Sequence, residues 1–330
     1  MHEIPPGYQS LSPDRILDAV ESTGARCDGR LLALNSYENR VYQVGTEDGP
    51  PLIAKFYRPG RWPNEAILEE HAFALELAAR EIPVVPPLRN EAGITLHEFD
   101  HHRLALYPRQ GGRWPELDKP GKLLWLGRFL GRIHAVGAIA PFQHRPTLTI
   151  EDFGDASCHY LLENGFIPAE LTLAYRTLAE DVLKQVRACW ERAGPVSLIR
   201  LHGDCHGGNI LWSGAGPHFV DLDDARMGPA VQDLWMLLSG ERRDMTMQLS
   251  ELLEGYNDFF DFNPRELALI EALRTLRLLH YAAWLARRWK DPAFKQAFPW
   301  FNSPRYWEEQ ILALREQAAA MDELPLAWHY

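Results

Sequence analysis

The hydrophobic period of this chain changes once. Up to Tyr107, short apolar or β-branched runs at 31–34, 40–44, 52–57, 94–99 and 103–107 are separated by polar or glycine-bearing turns, and they read as strands. After Pro108-Arg109-Gln110-Gly111-Gly112 the pattern becomes helical, with Leu123, Leu126, Leu130 and Ile133 sharing one face at 3.6-residue spacing and a stop near His134–Gly137. A chain that gathers its strands at one end and its helices at the other builds an α+β architecture. We therefore expect a small antiparallel β-rich lobe over 1–108 and a larger, mainly helical lobe over 109–330, in line with two domains for 330 residues.

Finer signals fill in this division. Ser12-Pro13-Asp14 offers an N-cap, a first-turn proline and an acid, with Gly24 as the stop of a short first helix. One helix over 63–80 accompanies the strands, and further helices are expected at 169–192, 231–238, 245–260, 264–289 and 306–321. Among those later helices, 198–220 is the only strand-like interruption. No internal repeat stands out.

Composition removes several function classes. Basic residues number 34 and acidic ones 45, so the net charge is 34 − 45 = −11, a poor match for gripping a nucleic-acid backbone. No apolar run reaches membrane-span length. Met1-His2-Glu3-Ile4-Pro5-Pro6 lacks the basic and apolar regions of a secretory leader. Cys27, Cys158, Cys189 and Cys205 are scattered, without a CxxC, and read as free thiols of a cytoplasmic protein.

The chemistry concentrates in His202-Gly203-Asp204-Cys205-His206-Gly207-Gly208-Asn209, a glycine-punctuated loop between apolar runs, followed by Phe219-Val220-Asp221-Leu222-Asp223-Asp224. Phosphoryl transfer needs a carboxylate to orient or deprotonate the accepting hydroxyl, and hard oxygen ligands for the Mg²⁺ that bridges nucleotide phosphates. Asp204 and Asn209 stand at the D-x-x-x-x-N spacing of kinase catalytic loops, with Asp221 at a strand end as the second metal ligand. Two other readings compete. Asp, Asn and Gly also dominate ordinary turns. His202, Asp204 and His206 alternate as zinc ligands on a strand might, although the intervening glycines argue against a regular strand.

Lys55, in Ile53-Ala54-Lys55, fits the kinase strand whose lysine holds the nucleotide phosphates and pairs with a helical Glu, against the alternative of an edge lysine facing water. Glu70 shares its helix face with Ala66, Phe73 and Leu77, the apolar side, and so needs a cation; Glu69 falls with Glu65 and Glu76 and is the reserve partner. No glycine-rich phosphate loop occurs. The turn Asn35-Ser36-Tyr37-Glu38-Asn39-Arg40 could cover phosphate oxygens instead, through backbone N–H groups, the Ser36 hydroxyl and Arg40.

These residues resemble the aminoglycoside phosphotransferase and choline kinase branch of the protein-kinase-like fold. The blocks Leu34-Asn35-Ser36-Tyr37-Glu38-Asn39-Arg40-Val41-Tyr42, Lys55-Phe56-Tyr57-Arg58-Pro59 and Asp221-Leu222-Asp223-Asp224-Ala225-Arg226 are similar to the narrower stress response kinase group, over about 11–301. That resemblance implies a bilobal protein-kinase-like fold and an ATP- and Mg²⁺-dependent serine/threonine protein kinase. It also implies autophosphorylation, monomeric behaviour and a cytoplasmic role in a bacterial stress response, with protein substrates as partners and neither nucleic acid nor membrane. By position it implies Asp204 as proton acceptor, Asp221 as a second catalytic carboxylate, Asn209 and Asp221 as Mg²⁺ ligands and Ser36 as an ATP contact. Lys55 with Glu70 would anchor the phosphates, Tyr107–Arg109 would be the adenine hinge, and Asp233 would brace the catalytic loop without itself being catalytic.

One departure bears on the acceptor. Only 12 positions (233 − 221) separate Asp221 from Asp233, and no A-P-E follows. So short a segment favours a small hydroxylated acceptor, of aminoglycoside, choline or homoserine type, while the resemblance favours protein. The acids Asp204, Asp223 and Asp224 would suit a cationic acceptor or bound Mg²⁺. A nucleotide-binding regulator without catalysis is a third reading, opposed by the presence of the lysine, base and metal ligand together.

Overall fold

A computed structural model describes Tyr8 and residues 11–328; Met1–Pro6, read above for a leader, lie outside them. The chain packs as two compact units, and neither is one stretch of sequence. The first comprises 1–122, 142–145 and 206–225; the second comprises 123–141, 146–205 and 226–330.

The first unit is built on five antiparallel strands, β1 (Cys27–Leu34), β2 (Arg40–Thr46), β3 (Leu52–Phe56), β4 (His97–Phe99) and β5 (His102–Pro108), in the order β1-β2-β3-β5-β4. Strand alternation gives the sheet two faces. Ala54 and Phe56 of β3, with Leu104 and Leu106 of β5, pack against Ile16, Ala19 and Val20 of α1 (Pro13–Glu21). Lys55, Tyr57 and Ala105 alternate to the opposite face, where Tyr57 and Ala105 meet Ile67 of α2 (Asn64–Ala79). Both helices expected in this stretch form, the short capped one after Ser12 covering one face of the sheet and α2 the other. Ser12 does cap that helix, its side chain accepting the Arg15 N–H at 3.3 Å. The 94–99 run is extended only at its end, the preceding residues forming a turn closed by Asn90.

A hairpin, β7 (Ile210–Ser213) and β8 (Gly216–Phe219), completes this unit. It joins the proline-rich 82–87 segment through a parallel bridge between Val84 and Phe219. Proline suits such an extended connection, since it restricts its neighbours to β geometry.

The second unit is mainly helical. It contains α3 (Lys122–Gly137, apart from its first residue), α4 (Ala156–Glu163), α5 (Ala169–Ala193), α6 (Val231–Trp235), α7 (Arg242–Tyr256), α8 (Ile270–Arg288), α9 (Pro292–Ala297) and α10 (Pro304–Asp322). The expected 231–238 helix stops at Trp235, and the 264–289 helix opens with a 3₁₀ turn, Pro264–Leu269. Helices α4, preceded by a π turn, and α9 were not anticipated. Two strands, β6 (Ile199–Leu201) and β9 (Arg226–Gly228), pair antiparallel. Helices α3 and α7 cross on glycines: a Cβ at Gly127 would run into the Leu252 carbonyl, and one at Gly255 into that of Leu124. Among the described residues no helix is long and apolar enough to cross a membrane.

Candidate functional site

The candidate residues divide between the units, since the glycine-punctuated loop passes from the second to the first between Cys205 and His206. In the first unit, period-two alternation puts Lys55 on the α2 side of the sheet, and helical spacing puts Glu70 on the face that meets it. Lys55 Nζ lies 3.9 Å from Glu70 Oε1, with side chains only 7% and 4% exposed. The same ammonium donates to Asp221 Oδ1 at 2.9 Å and lies 3.3 Å from Asp223 Oδ1. Burial alone would lower the Lys55 pKa, but Asp221, Asp223 and Glu70 outweigh it and hold the ammonium well above its ordinary value. Burial pushes the Glu70 carboxyl up to about 7, against the pull of Lys55. The edge-lysine alternative is therefore excluded. Glu69 is engaged elsewhere: its carboxylate accepts the backbone N–H groups of Gln143, His144 and Arg145 at 2.6–2.8 Å.

Asp221, two residues beyond β8, has a left-handed backbone conformation, φ 59° and ψ 67°, which Asp tolerates better than most residues. That turn sends its half-exposed carboxylate toward Lys55 while the chain enters the 3₁₀ turn Leu222–Asp224. Asn209 adjoins the start of this turn, its carbonyl accepting the Val220 N–H at 3.0 Å. Asp223 is buried beneath: Asn39 donates to it at 3.1 Å, Arg61 pairs with it, and Arg145 donates to its backbone carbonyl. Burial would raise the Asp223 pKa, but Lys55 and Arg61 outweigh it and hold it low. Arg61 also bonds Asp224 at 2.9 Å. Asp223 and Asp224, read above as suited to a cationic acceptor or Mg²⁺, thus both hold Arg61 in this structure.

Ser36 sits in the half-buried β1–β2 connection. That connection is anchored by Asn39 Oδ1, which accepts the Arg58 N–H at 3.1 Å, and by Arg58 Nε, which donates to the Glu38 carbonyl at 2.9 Å. Tyr107 pairs with Ile53 at the end of β5. Its hydroxyl turns inward to Tyr57 at 3.0 Å, and Tyr57 in turn bonds His71 Nε2 at 2.7 Å. Burial, aided by the Lys55 charge, lowers the His71 pKa to about 3, so this imidazole is neutral.

In the second unit, Asp233 accepts the backbone N–H of His202 at 2.8 Å and of Gly203 at 2.9 Å, and contacts His134 Nε2 at 3.2 Å. His134 Nδ1 bonds the Tyr256 hydroxyl at 2.7 Å. A carboxylate buried to this degree is stable only with such a set of donors, and it fixes the backbone immediately before Asp204. Arg277 of α8 bonds Asp204 Oδ1 at 2.6 Å. Sequence reasoning missed Arg61, Asn39, Arg145 and Arg277, all polar partners brought in from distant segments. The Arg58–Arg61 spacing directly after the lysine strand was the one available hint.

The zinc alternative does not form. His206 Nδ1 accepts the Gly208 N–H, His202 is buried, and no three His, Cys, Asp or Glu residues gather into a metal cage among the described residues. The oxygens of Asp221 and Asn209 fit Mg²⁺, which prefers one or two protein oxygens and the substrate's phosphates. The Lys55 ammonium, 2.9 Å from Asp221, has the charge that would suit a polyphosphate.

Residues 30–270 match the model of the phosphotransferase enzyme family. The chain is 45% identical over 319 residues to stress response kinase A of Escherichia coli K12, covering 97% of this chain and 96% of that protein. It is 44% identical, with the same coverage, to the serine/threonine protein kinase RdoA of Salmonella typhimurium. Among solved structures, an amicoumacin kinase in complex with AMP-PNP and Ca²⁺ superposes with a TM-score of 0.72 at 20% identity, covering 95% of each chain. A spectinomycin phosphotransferase in complex with ADP reaches 0.68 at 13% identity, covering 96% of this chain and all of that one. The fold is thus the kinase-like α+β fold expected.

Proposed function

The chain belongs to the phosphotransferase enzyme family, and from that premise we propose that it is an ATP- and Mg²⁺-dependent kinase of the bacterial cytoplasm. Its acceptors would be serine and threonine hydroxyls of proteins, including its own, in a stress response, with the chain acting as a monomer. The observation that carries this reading is the buried Lys55 ammonium held among Glu70, Asp221 and Asp223. It is an arrangement suited to holding nucleotide phosphates. The protein acceptor is supported by the names of relatives that match over nearly the whole chain.

Bound Mg²⁺–ATP would supply the transferable γ-phosphoryl group and the shielding of its oxygens. Lys55, oriented by Glu70, would hold the phosphates, with the β1–β2 connection and Ser36 closing over them. Asp221 and Asn209 would offer the metal its protein oxygens. Asp204 would take the proton of the acceptor hydroxyl as that oxygen bonds phosphorus and the bond to ADP breaks. Asp233 acts through the backbone of His202 and Gly203, and is a positioning residue.

A second reading, phosphorylation of a small molecule, is supported by the short 221–233 segment and by the acceptors named for the solved structures. Incubation with labelled ATP, a generic protein acceptor and an aminoglycoside and choline panel separates the two, with Asp204→Asn as control. Label on protein alone supports the first reading; label on a small molecule alone overturns it.

A further inference from the structure

Resting on the reading of Asp204 as the group that receives the acceptor hydroxyl, we propose that Arg277 selects the acceptor: it favours a hydroxyl flanked by an anionic group. Three observations lead there. Arg277 Nη1 bonds Asp204 Oδ1 at 2.6 Å, so a fixed positive charge stands at the carboxylate that the acceptor must reach. The arginine side chain is 42% exposed and that of Asp204 23%. A guanidinium carries five N–H donors, and one bond to Asp204 leaves others for a ligand carboxylate or phosphate in the forked geometry arginine favours. Its neighbour one turn earlier, Arg274, is by contrast occupied by Glu271 at 3.2 Å and lies over the Trp235 ring.

At Asp204 the Arg277 charge already neutralises the carboxylate, so an amine-rich acceptor gains little attraction there, whereas the remaining guanidinium donors are open to an anion. A Ser or Thr followed or preceded by Asp, Glu or a phosphorylated residue would offer the hydroxyl to Asp204 and its anion to Arg277. Charge complementarity of this kind discriminates mainly through encounter and ground-state binding, so the effect should fall on KM more than on kcat.

The test uses the full-length protein, MgATP and three matched Ser/Thr peptides with acidic, neutral or basic flanks. Binding is read by fluorescence anisotropy on the MgADP-loaded protein, and transfer by KM and kcat separately. Wild type should prefer the acidic peptide over the basic one by about two- to fivefold in both affinity and KM, as expected for one partly exposed charge contact. Arg277→Gln should remove that ratio, Arg277→Glu should invert it and Arg277→Lys should keep part of it, all with an unchanged KM for MgATP. Equal anisotropy affinities for the acidic and basic peptides in wild type, or a ratio untouched by Arg277→Gln, overturns the proposal. So does an equal fall of kcat on every peptide, which would make Arg277 only a support for Asp204. Because binding is read without turnover, a slow enzyme still decides the matter. Loss of the underlying reading would appear separately, as transfer that survives Asp204→Asn.

Discussion

Replacing Lys55 by methionine keeps the length of the stem and removes the one charge shared by three carboxylates. Asp223 would retain Arg61 and Asn39, and half-exposed Asp221 could turn to water. Glu70 would be left buried without its ion-pair partner. Breaking a buried pair costs about 3–5 kcal/mol when the remaining charge cannot neutralise. Here it can: burial already raises the Glu70 carboxyl to about 7, and loss of the opposing pull from Lys55 raises it further. A carboxyl whose folded pKa lies above its unfolded one contributes stability that is complete below about 4.5 and is lost as pH rises through the folded value. In Lys55→Met that loss moves to higher pH and continues beyond 7. The stability gap between wild type and variant should therefore be small near pH 6 and widen by about 1.4 kcal/mol for each unit by which the folded pKa rises further. Urea unfolding followed by circular dichroism at pH 6 and pH 8.5 measures the gap, and in Lys55→Met/Glu70→Gln it should lose its pH dependence. MgATP affinity by calorimetry should fall about 10- to 100-fold, the equivalent of one charge-assisted contact to phosphate. A gap that does not change with pH, or MgATP affinity equal to wild type, would refute this account of the site.

Asp204→Asn should abolish phosphoryl transfer while calorimetric MgATP affinity stays within a fewfold of wild type; joint loss of binding in a folded protein would make Asp204 a ligand. Asp221→Asn should weaken MgATP binding and shift the Mg²⁺ dependence of activity to higher concentration, and unchanged titrations would remove its metal role. Asp233→Ala strands the His202 and Gly203 N–H groups and His134 in a dry interior, so thermal unfolding should reveal a loss of about 3–5 kcal/mol. An unchanged transition midpoint would contradict that accounting.

Much of this was legible because it is periodic or local. Alternation along β3 put Lys55 opposite Ala54 and Phe56, and the spacing of Ala66, Glu70, Phe73 and Leu77 put Glu70 on the buried face of α2. Both depend only on the regular geometry of one element. The destination of Glu69 was not legible. Its helix face looks solvent-bound in isolation, yet three backbone N–H groups some 75 residues later come to it. Arg61, Arg145 and Arg277 were hidden for the same reason: a cation's partner is set by tertiary approach, and no local pattern announces it. The 198–220 run misled differently. It was seen as one interruption, but its strands pair in two separate sheets, β6 with β9 and β7 with β8, because the glycine-rich loop between them belongs to neither.

The segment after Asp221 sharpens what kind of acceptor can be read, and where. In longer kinases the corresponding stretch serves as a platform for substrate peptide. Here Arg226–Gly228 form β9 against Ile199–Leu201, and Val231–Trp235 form α6, whose first N–H is held by buried Glu266 at 2.9 Å. β9 is paired on one side by β6 and bridged at Met227 to Thr147 on the other, and Pro229, between β9 and α6, is buried and has no N–H to give. A peptide acceptor would find no unpaired strand edge of useful length in this segment. Its recognition must then rest on side chains outside it, and the guanidinium of Arg277, bonded to Asp204 from a neighbouring helix, is placed to supply the first of them.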